Sequence, residues 1–452
     1  MLDKRKFYKD FVILCLPLIL QQFVNIALNF IDNLMVGQLG STSISAVGFA
    51  NKMFFVFMLC IFGASGGISL FMSQFYGKKD FNMLQKLFAL IMIVCVAISI
   101  IFYVISYYYA ENIMCLFSQD PLVVQIGTSY LEIIAFSFPI TGLSMAITFA
   151  LRSIGHTKQA LYITIIATSI NTILNYGLIY GNLGFMRLEA DGAAIATLIA
   201  RITEGLLFIL LIYVHKYGLI TNFSNYFGLN KDFLKKVLKI STPVFFTEMV
   251  WVLGTTTLTI AYGKLGTEAA AGIHISDLLL NFGSIVFMGV ATATSIILGH
   301  TIGSGSIEKA KKISGEILKV SLVLAVIMVV SSIALIKPIV SLYELSESTR
   351  QLTYLTMLVV SISLFFKLMN WTLMIGILRA GGDTKISFII DTVPLVILAV
   401  PVAFLGSMYF HLPIYYVVAL ANLEEVFKMI VAFWRYKSNK WIHNLTQHEQ
   451  NI

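Results

Sequence analysis

Gln22, Asn25, Asn29 and Asp32 recur at intervals of three, four and three residues, so in a helix they share one face. Thr164, Thr168, Asn171 and Asn175 repeat the pattern at four, three and four, and Thr197, Arg201 and Glu204 make a third stripe. The carboxylate of Asp32, the amides of Asn171 and Asn175 and the hydroxyl of Thr197 are hard oxygen ligands suited to Na⁺. They are equally a protonatable carboxyl with hydrogen-bond partners, suited to H⁺. Interhelical hydrogen bonding would also use Asn and Thr; it has no need of the acid. Arg201 and Glu204, three apart, can neutralise each other on one helix.

The elements that carry these stripes follow from composition. Of 452 residues 58% are apolar and only 12% charged, which no soluble surface tolerates. Apolar runs of about 20 residues, each able to cross a roughly 30 Å hydrocarbon core, recur along the whole chain. They predict twelve transmembrane helices at 11–36, 46–72, 87–109, 123–151, 159–181, 190–214, 237–262, 270–299, 313–336, 350–378, 385–407 and 413–434. The fold class is therefore all-α, a polytopic membrane protein. A charge at mid-bilayer costs at least about 2.5–3.5 kcal/mol, so each one must face protein or water. Besides Asp32 these are Lys52, Arg201, Glu204, Glu248, Asp277, Lys367, Asp391, Glu424 and Glu425.

The net charge of +8 could suggest nucleic acid, but its placement decides otherwise. With the N-terminus inside, the cytoplasmic segments hold 22 Lys and Arg, against only Arg187, Lys264, Lys337 and Arg350 outside. That bias sets both termini in the cytoplasm and leaves no basic stripe for nucleic acid. It also places Asp32, Asn171, Asn175 and Thr197 together in the outer half of the bilayer. The first apolar run is too long for a signal peptide and stays as a span, with a cell (plasma) membrane location expected. Cys15, Cys60, Cys95 and Cys115 lie on separate spans without metal-ligand spacing.

An internal repeat sets the architecture. An offset of 226 aligns 17–77 with 243–303 through seven identities, five of them Gly or Pro: Pro17/Pro243, Gly37/Gly263, Gly40/Gly266, Gly63/Gly289 and Gly77/Gly303. One residue out of phase, Leu151-Arg152-Ser153-Ile154-Gly155-His156-Thr157-Lys158 matches Leu378-Arg379-Ala380-Gly381-Gly382-Asp383-Thr384-Lys385 at five of eight positions. Six spans per repeat predict two pseudo-symmetric lobes related by an axis along the membrane normal. The boundaries expected are an N-terminal lobe at 1–214, a cytoplasmic linker at 215–236, a C-terminal lobe at 237–436 and a cytoplasmic tail at 437–452.

The Gly37-Gln38-Leu39-Gly40 turn after Phe30-Ile31-Asp32, the twice-used Leu-Arg-x-x-Gly-x-Thr-Lys loop and Asn171-Thr172-Ile173-Leu174-Asn175 together resemble the multidrug and toxic compound extrusion (MATE) family over nearly the whole chain. The resemblance implies a secondary active antiporter that exports small organic, cationic and amphipathic compounds from a cavity between lobes in exchange for Na⁺ or H⁺. It puts the family's first-helix acid at Asp32, the site for Na⁺ if that is the ion, and its fifth- and sixth-helix partners at Asn171, Asn175 and Thr197. Glu248 resembles the seventh-helix acid of several exporters. With Trp251 and Asp277 it is the candidate substrate or second ion site; a structural pair between Glu248 and Lys367 or another basic residue is the alternative.

Walker-type, H-E-x-x-H and nucleophile-elbow motifs are missing from the sequence, so an ion gradient must supply the energy and no enzyme is expected. No cofactor is implied beyond the coupling ion. The partners expected are the bilayer and a small-molecule substrate, with no obligatory protein partner, and the chain is expected to be a monomer. A flippase for lipid-linked saccharides would share the fold but want several membrane Arg for pyrophosphate, and only Arg201 is clearly mid-membrane. An intramembrane enzyme would need an acid, base or metal constellation that His274, His300 and His411 do not form.

Overall fold

The computed structural model describes residues 3–215, 217–220 and 228–447. Part of the expected linker, 216 and 221–227, and the last five residues of the expected tail lie outside them. Among the described residues the regular elements are all helices, and one isolated β-bridge joins Gly382 and Ile442.

Ten helices are long and apolar enough to cross a membrane, by length and composition. They are α1 (Lys4–Gly37), α2 (Ser41–Lys78), α3 (Phe81–Tyr108), α7 (Thr157–Tyr180), α8 (Glu189–His215), α9 (Lys231–Gly263), α10 (Thr267–Gly303), α11 (Ile307–Ser341), Glu347–Leu378 and Thr384–Tyr409. An eleventh span is the pair α5 (Pro121–Ala135) and α6 (Ser137–Ser153), bent by 47°; the short α4 (Ala110–Phe117) precedes it. The expected twelfth, 413–434, is α15 (Ile414–Ala421) followed by α16 (Leu423–Lys437), with a break at Asn422. Each piece is short, and the second carries Glu424, Glu425 and Lys428, so hydropathy alone underrates this span.

The remaining elements depart from regular winding. Within Glu347–Leu378, α12 (Glu347–Trp371) runs into a π-helical stretch, Thr372–Leu378. Thr384–Tyr409 is α13 (Thr384–Pro394), a π turn at Leu395–Ala399, α14 (Val400–Phe404) and a second π turn at Leu405–Tyr409. Pro394 and Pro401 each lack the N–H that would close an α turn, which favours the wider winding near them.

The repeat seen in sequence recurs in backbone geometry. Gly40 and Gly266 take φ of 103° and 102°, and Gly155 and Gly382 both take 84°. Such angles penalise a Cβ, so the glycine matches mark the same two turns built twice. The paired loops also close alike: Gly155 N–H donates to Arg152 O at 2.9 Å, and Gly382 N–H to Arg379 O at 2.8 Å.

By contacts the chain forms two compact units, one of Leu20–Phe245 and one of Met1–Ile19 with Phe246–Ile452. Each unit thus takes one end of α1 and one end of α9. In the first, a core of Val36, Val47, Met114, Leu131, Ile134 and Ile179 packs α1, α2, α4, α5 and α7. Gly192 approaches α7 so closely that a Cβ there would lie 2.6 Å from Leu178 O. That contact draws α7 and α8 together at the end where Asn175 and Thr197 stand.

In the second unit Phe7, Phe11 and Leu18 of α1 pack with Val290, Ile296, Ile317, Ile377 and Trp441. Of the expected tail, residues 438–447 fold back onto the Gly381–Asp383 turn. His443 N–H donates to Gly381 O at 2.7 Å, Arg435 Nε to Asp383 Oδ2 at 2.6 Å, and Trp441 is fully buried. Outside both cores, Ile93, Ile101, Val104, Val323, Ile327 and Val330 are exposed along α3 and α11, as lipid-facing surfaces require.

Candidate functional site

Within the Leu20–Phe245 unit, α1, α7 and α8 bring Asp32, Asn171, Asn175 and Thr197 together. Asn175 Nδ2 donates to Asp32 Oδ1 at 2.7 Å and stands 3.2 Å from Asn171 Oδ1. Asn171 Nδ2 lies 3.3 Å from Thr197 Oγ1. With its amide turned over, Asn171 instead donates to Asp32 Oδ1 at 3.1 Å and accepts from the Thr197 hydroxyl at 3.3 Å. Two amides therefore bracket one carboxylate oxygen in either assignment. Both are buried, while Asp32 and Thr197 are half-buried. Among the described residues Asn175 Oδ1 is buried without a hydrogen-bond partner.

The other stripe residues behave differently. Asn29 is exposed and Gln22 and Asn25 are half-buried; among the described residues no hydrogen bond joins them to Asp32. Arg201 Nη1 meets Glu204 Oε2 at 2.8 Å, so these two residues pair as their spacing suggests. Among the described residues no hydrogen bond or ion pair joins this guanidinium to Asp32.

Gln21 is the residue that the sequence pattern missed. It is buried, donates to Thr164 Oγ1 at 2.9 Å and accepts from Arg152 Nη2 at 2.7 Å. The signal was available, since Gln21 and Asn25 are as well spaced for a helix face as Gln22 and Asn25.

In the other unit Glu248 Oε1 pairs with Arg379 Nη1 at 2.9 Å. Arg379 is the repeat partner of Arg152, and Glu248 and Gln21 stand near equivalent places, so each lobe ties its loop arginine to its own first helix. Trp251 is exposed, and Asp277 Oδ2 lies 4.0 Å from His274 Nδ1. Among the described residues no hydrogen bond or ion pair joins Glu248, Trp251 and Asp277 to one another. Lys367, Asp391, Glu424 and Glu425 gather instead around Lys428, another residue the sequence reading passed over.

The MatE family pattern matches residues 17–177 and 243–405, one block in each repeat. The chain belongs to the MatE family. A probable multidrug resistance protein NorM of Halalkalibacterium halodurans is 26% identical over 406 residues, covering 88% of this chain and 87% of that protein. The multidrug resistance protein MdtK of Edwardsiella ictaluri is 22% identical over 412 residues, 88% of each chain. Among solved structures, the Vibrio cholerae MATE transporter VcmN in the bent form superposes with a TM-score of 0.86 at 17% identity, over 97% of this chain and 99% of that one. As a MatE-family chain it is a multi-pass membrane transporter and not an enzyme.

Proposed function

We propose that this MatE-family chain is a secondary antiporter that exports small organic, cationic and amphipathic compounds in exchange for Na⁺ or H⁺ taken up at Asp32. The observation that carries the reading is a membrane carboxylate whose direct partners are neutral. Asn171, Asn175 and Thr197 supply dipoles without a countercharge, and the guanidinium of Arg201, on the same helix as Thr197, is already paired with Glu204. Asn175 Oδ1, without a hydrogen-bond partner among the described residues, is a further hard oxygen on the side chain that meets Asp32, so the donor set fits Na⁺ as well as H⁺. Relatives named for multidrug resistance support export of organic compounds. Engagement of Arg201 by Glu204 counts against a pyrophosphate-binding flippase.

Purified protein in liposomes is expected to expel a cationic dye when a Na⁺ or H⁺ gradient is imposed, and to be inert without one. Dye movement indifferent to both gradients would end the antiport reading.

The same proposal sets the protein in the cell membrane as a monomer, with both termini in the cytoplasm. Cysteines introduced at Lys79 and Lys231 are expected to resist an impermeant thiol reagent in intact cells, while one at Glu268 reacts. The reverse labelling pattern would invert the orientation.

A further inference from the structure

Three irregular stretches of the Phe246–Ile452 unit carry charged groups that meet. Asn370 and Lys367 stand just before the π-helical Thr372–Leu378, Asp391 stands just before the π turn at Leu395–Ala399, and Glu424 and Glu425 follow the break at Asn422. Lys428 Nζ, buried, lies 3.2 Å from both Asp391 Oδ1 and Glu424 Oε2. Glu425 Oε1 is 4.0 Å from Lys367 Nζ, and its Oε2 accepts from Asn370 Nδ2 at 2.8 Å. Interrupted helices and π turns expose backbone groups and recur at functional sites of transporters.

The balance of charge in this network is uneven. Three carboxylates, Asp391, Glu424 and Glu425, face two ammonium groups, Lys367 and Lys428. A surplus negative charge among buried groups has to be matched. Among the described residues Tyr262 on α9 and Asp277 on α10 also lie within electrostatic reach, and Asp277, beside His274, adds a further carboxylate near Lys367 rather than a cation. Among the described residues two polar atoms at the centre lack a hydrogen-bond partner: Asn370 Oδ1, in a fully buried side chain, and Glu424 Oε2, which has only its ion pair with Lys428.

We infer that Glu424 is a second proton-binding site, lying in the Phe246–Ile452 unit and loaded independently of Asp32. A proton suits it better than a metal cation, because two ammonium groups already stand in the network and would repel one. Glu424 takes the proton because the other two acids are better held. Glu425 accepts from Asn370 and has Lys367 nearby, and Asp391 is the more exposed of the two carboxylates that share Lys428. One proton from solution forms one O–H bond on Glu424, balances the charges of Asp391, Glu424 and Glu425 against those of Lys367 and Lys428, and frees Lys428 to serve Asp391 alone. The inference deepens the antiport reading, since it adds an ionisable site to the coupling machinery, but its test does not depend on transport.

Infrared difference spectra of the full-length protein in lipid nanodiscs read protonated carboxyl groups directly. Asp32→Asn is expected to keep a carboxylic-acid band that replacing Na⁺ by K⁺ leaves unmoved, and Asp32→Asn/Glu424→Gln is expected to lose it. Should the double variant not fold, Asp32→Asn/Lys428→Met decides: one ammonium fewer calls for a further proton, so the band should grow. Lack of the band in Asp32→Asn, its survival in the double variant, its displacement by Na⁺, or a constant band after Lys428→Met would each overturn the inference. Failure of the antiport reading itself would show in dye efflux and leave these spectra unchanged.

Discussion

Asp32→Asn is expected to abolish gradient-driven dye efflux while the purified protein keeps its fold. The side chain lies among Asn171, Asn175 and Thr197, and an amide at position 32 still accepts the 2.7 Å hydrogen bond from Asn175 Nδ2. The hydrogen bond weakens because its acceptor loses charge, a cost of about 1 kcal/mol. Removal of a desolvated charge offsets part of that cost. What cannot survive is the uptake of an ion, since the amide neither titrates nor attracts a cation. Efflux should fall to the level of empty liposomes under both Na⁺ and H⁺ gradients, with the melting temperature in detergent nearly unchanged. Asn175→Leu should impair transport less completely, because Asp32 retains its charge and the Asn171 amide. Wild-type pumping by Asp32→Asn would move the coupling site elsewhere.

The sequence made this site legible because its residues follow helical spacing on three separate spans, and because a lone acid among amides stands out against an apolar background. The two lobes were legible for a related reason: Gly40, Gly155, Gly266 and Gly382 hold backbone angles that few other residues tolerate, so their recurrence survives where side chains have diverged. Other features left weaker traces. Gln21 and Gln22 are adjacent, and which of the two is buried depends on the rotation of α1 against Thr164 and Arg152, which no pattern on one helix reports. The first turns of α1 pack through Phe7, Phe11 and Leu18 onto α10 and α11, a tertiary choice that the repeat does not encode. The π turns and the break at Asn422 leave hydropathy almost untouched, so the gathering of Asp391, Glu424, Glu425 and Lys428 is visible only in space. The spacing of Glu424 and Lys428, four apart, was the one local hint.

Glu248→Ala is expected to lower the amount of folded protein sharply, whereas Glu248→Gln should restore most of it. Arg379 has a buried side chain, 8% exposed, whose guanidinium meets Glu248 at 2.9 Å. Deleting the carboxylate strands a buried cation, which costs about 3 kcal/mol, the low end for such pairs because Glu248 itself is partly open to its surroundings. The other lobe already shows what an amide can do there, since Arg152 donates to Gln21 Oε1 at 2.7 Å. A glutamine at 248 would reproduce that arrangement, keeping the hydrogen bond and losing only the charge. The two variants therefore separate anchoring of Arg379 from ion or substrate binding. If Glu248 anchors the loop arginine, membrane level and efflux fall together in Glu248→Ala and recover together in Glu248→Gln. If Glu248→Gln reaches wild-type level in the membrane yet fails to expel dye, the charge at 248 serves transport, and the Glu248–Arg379 pair is then part of the ion or substrate path.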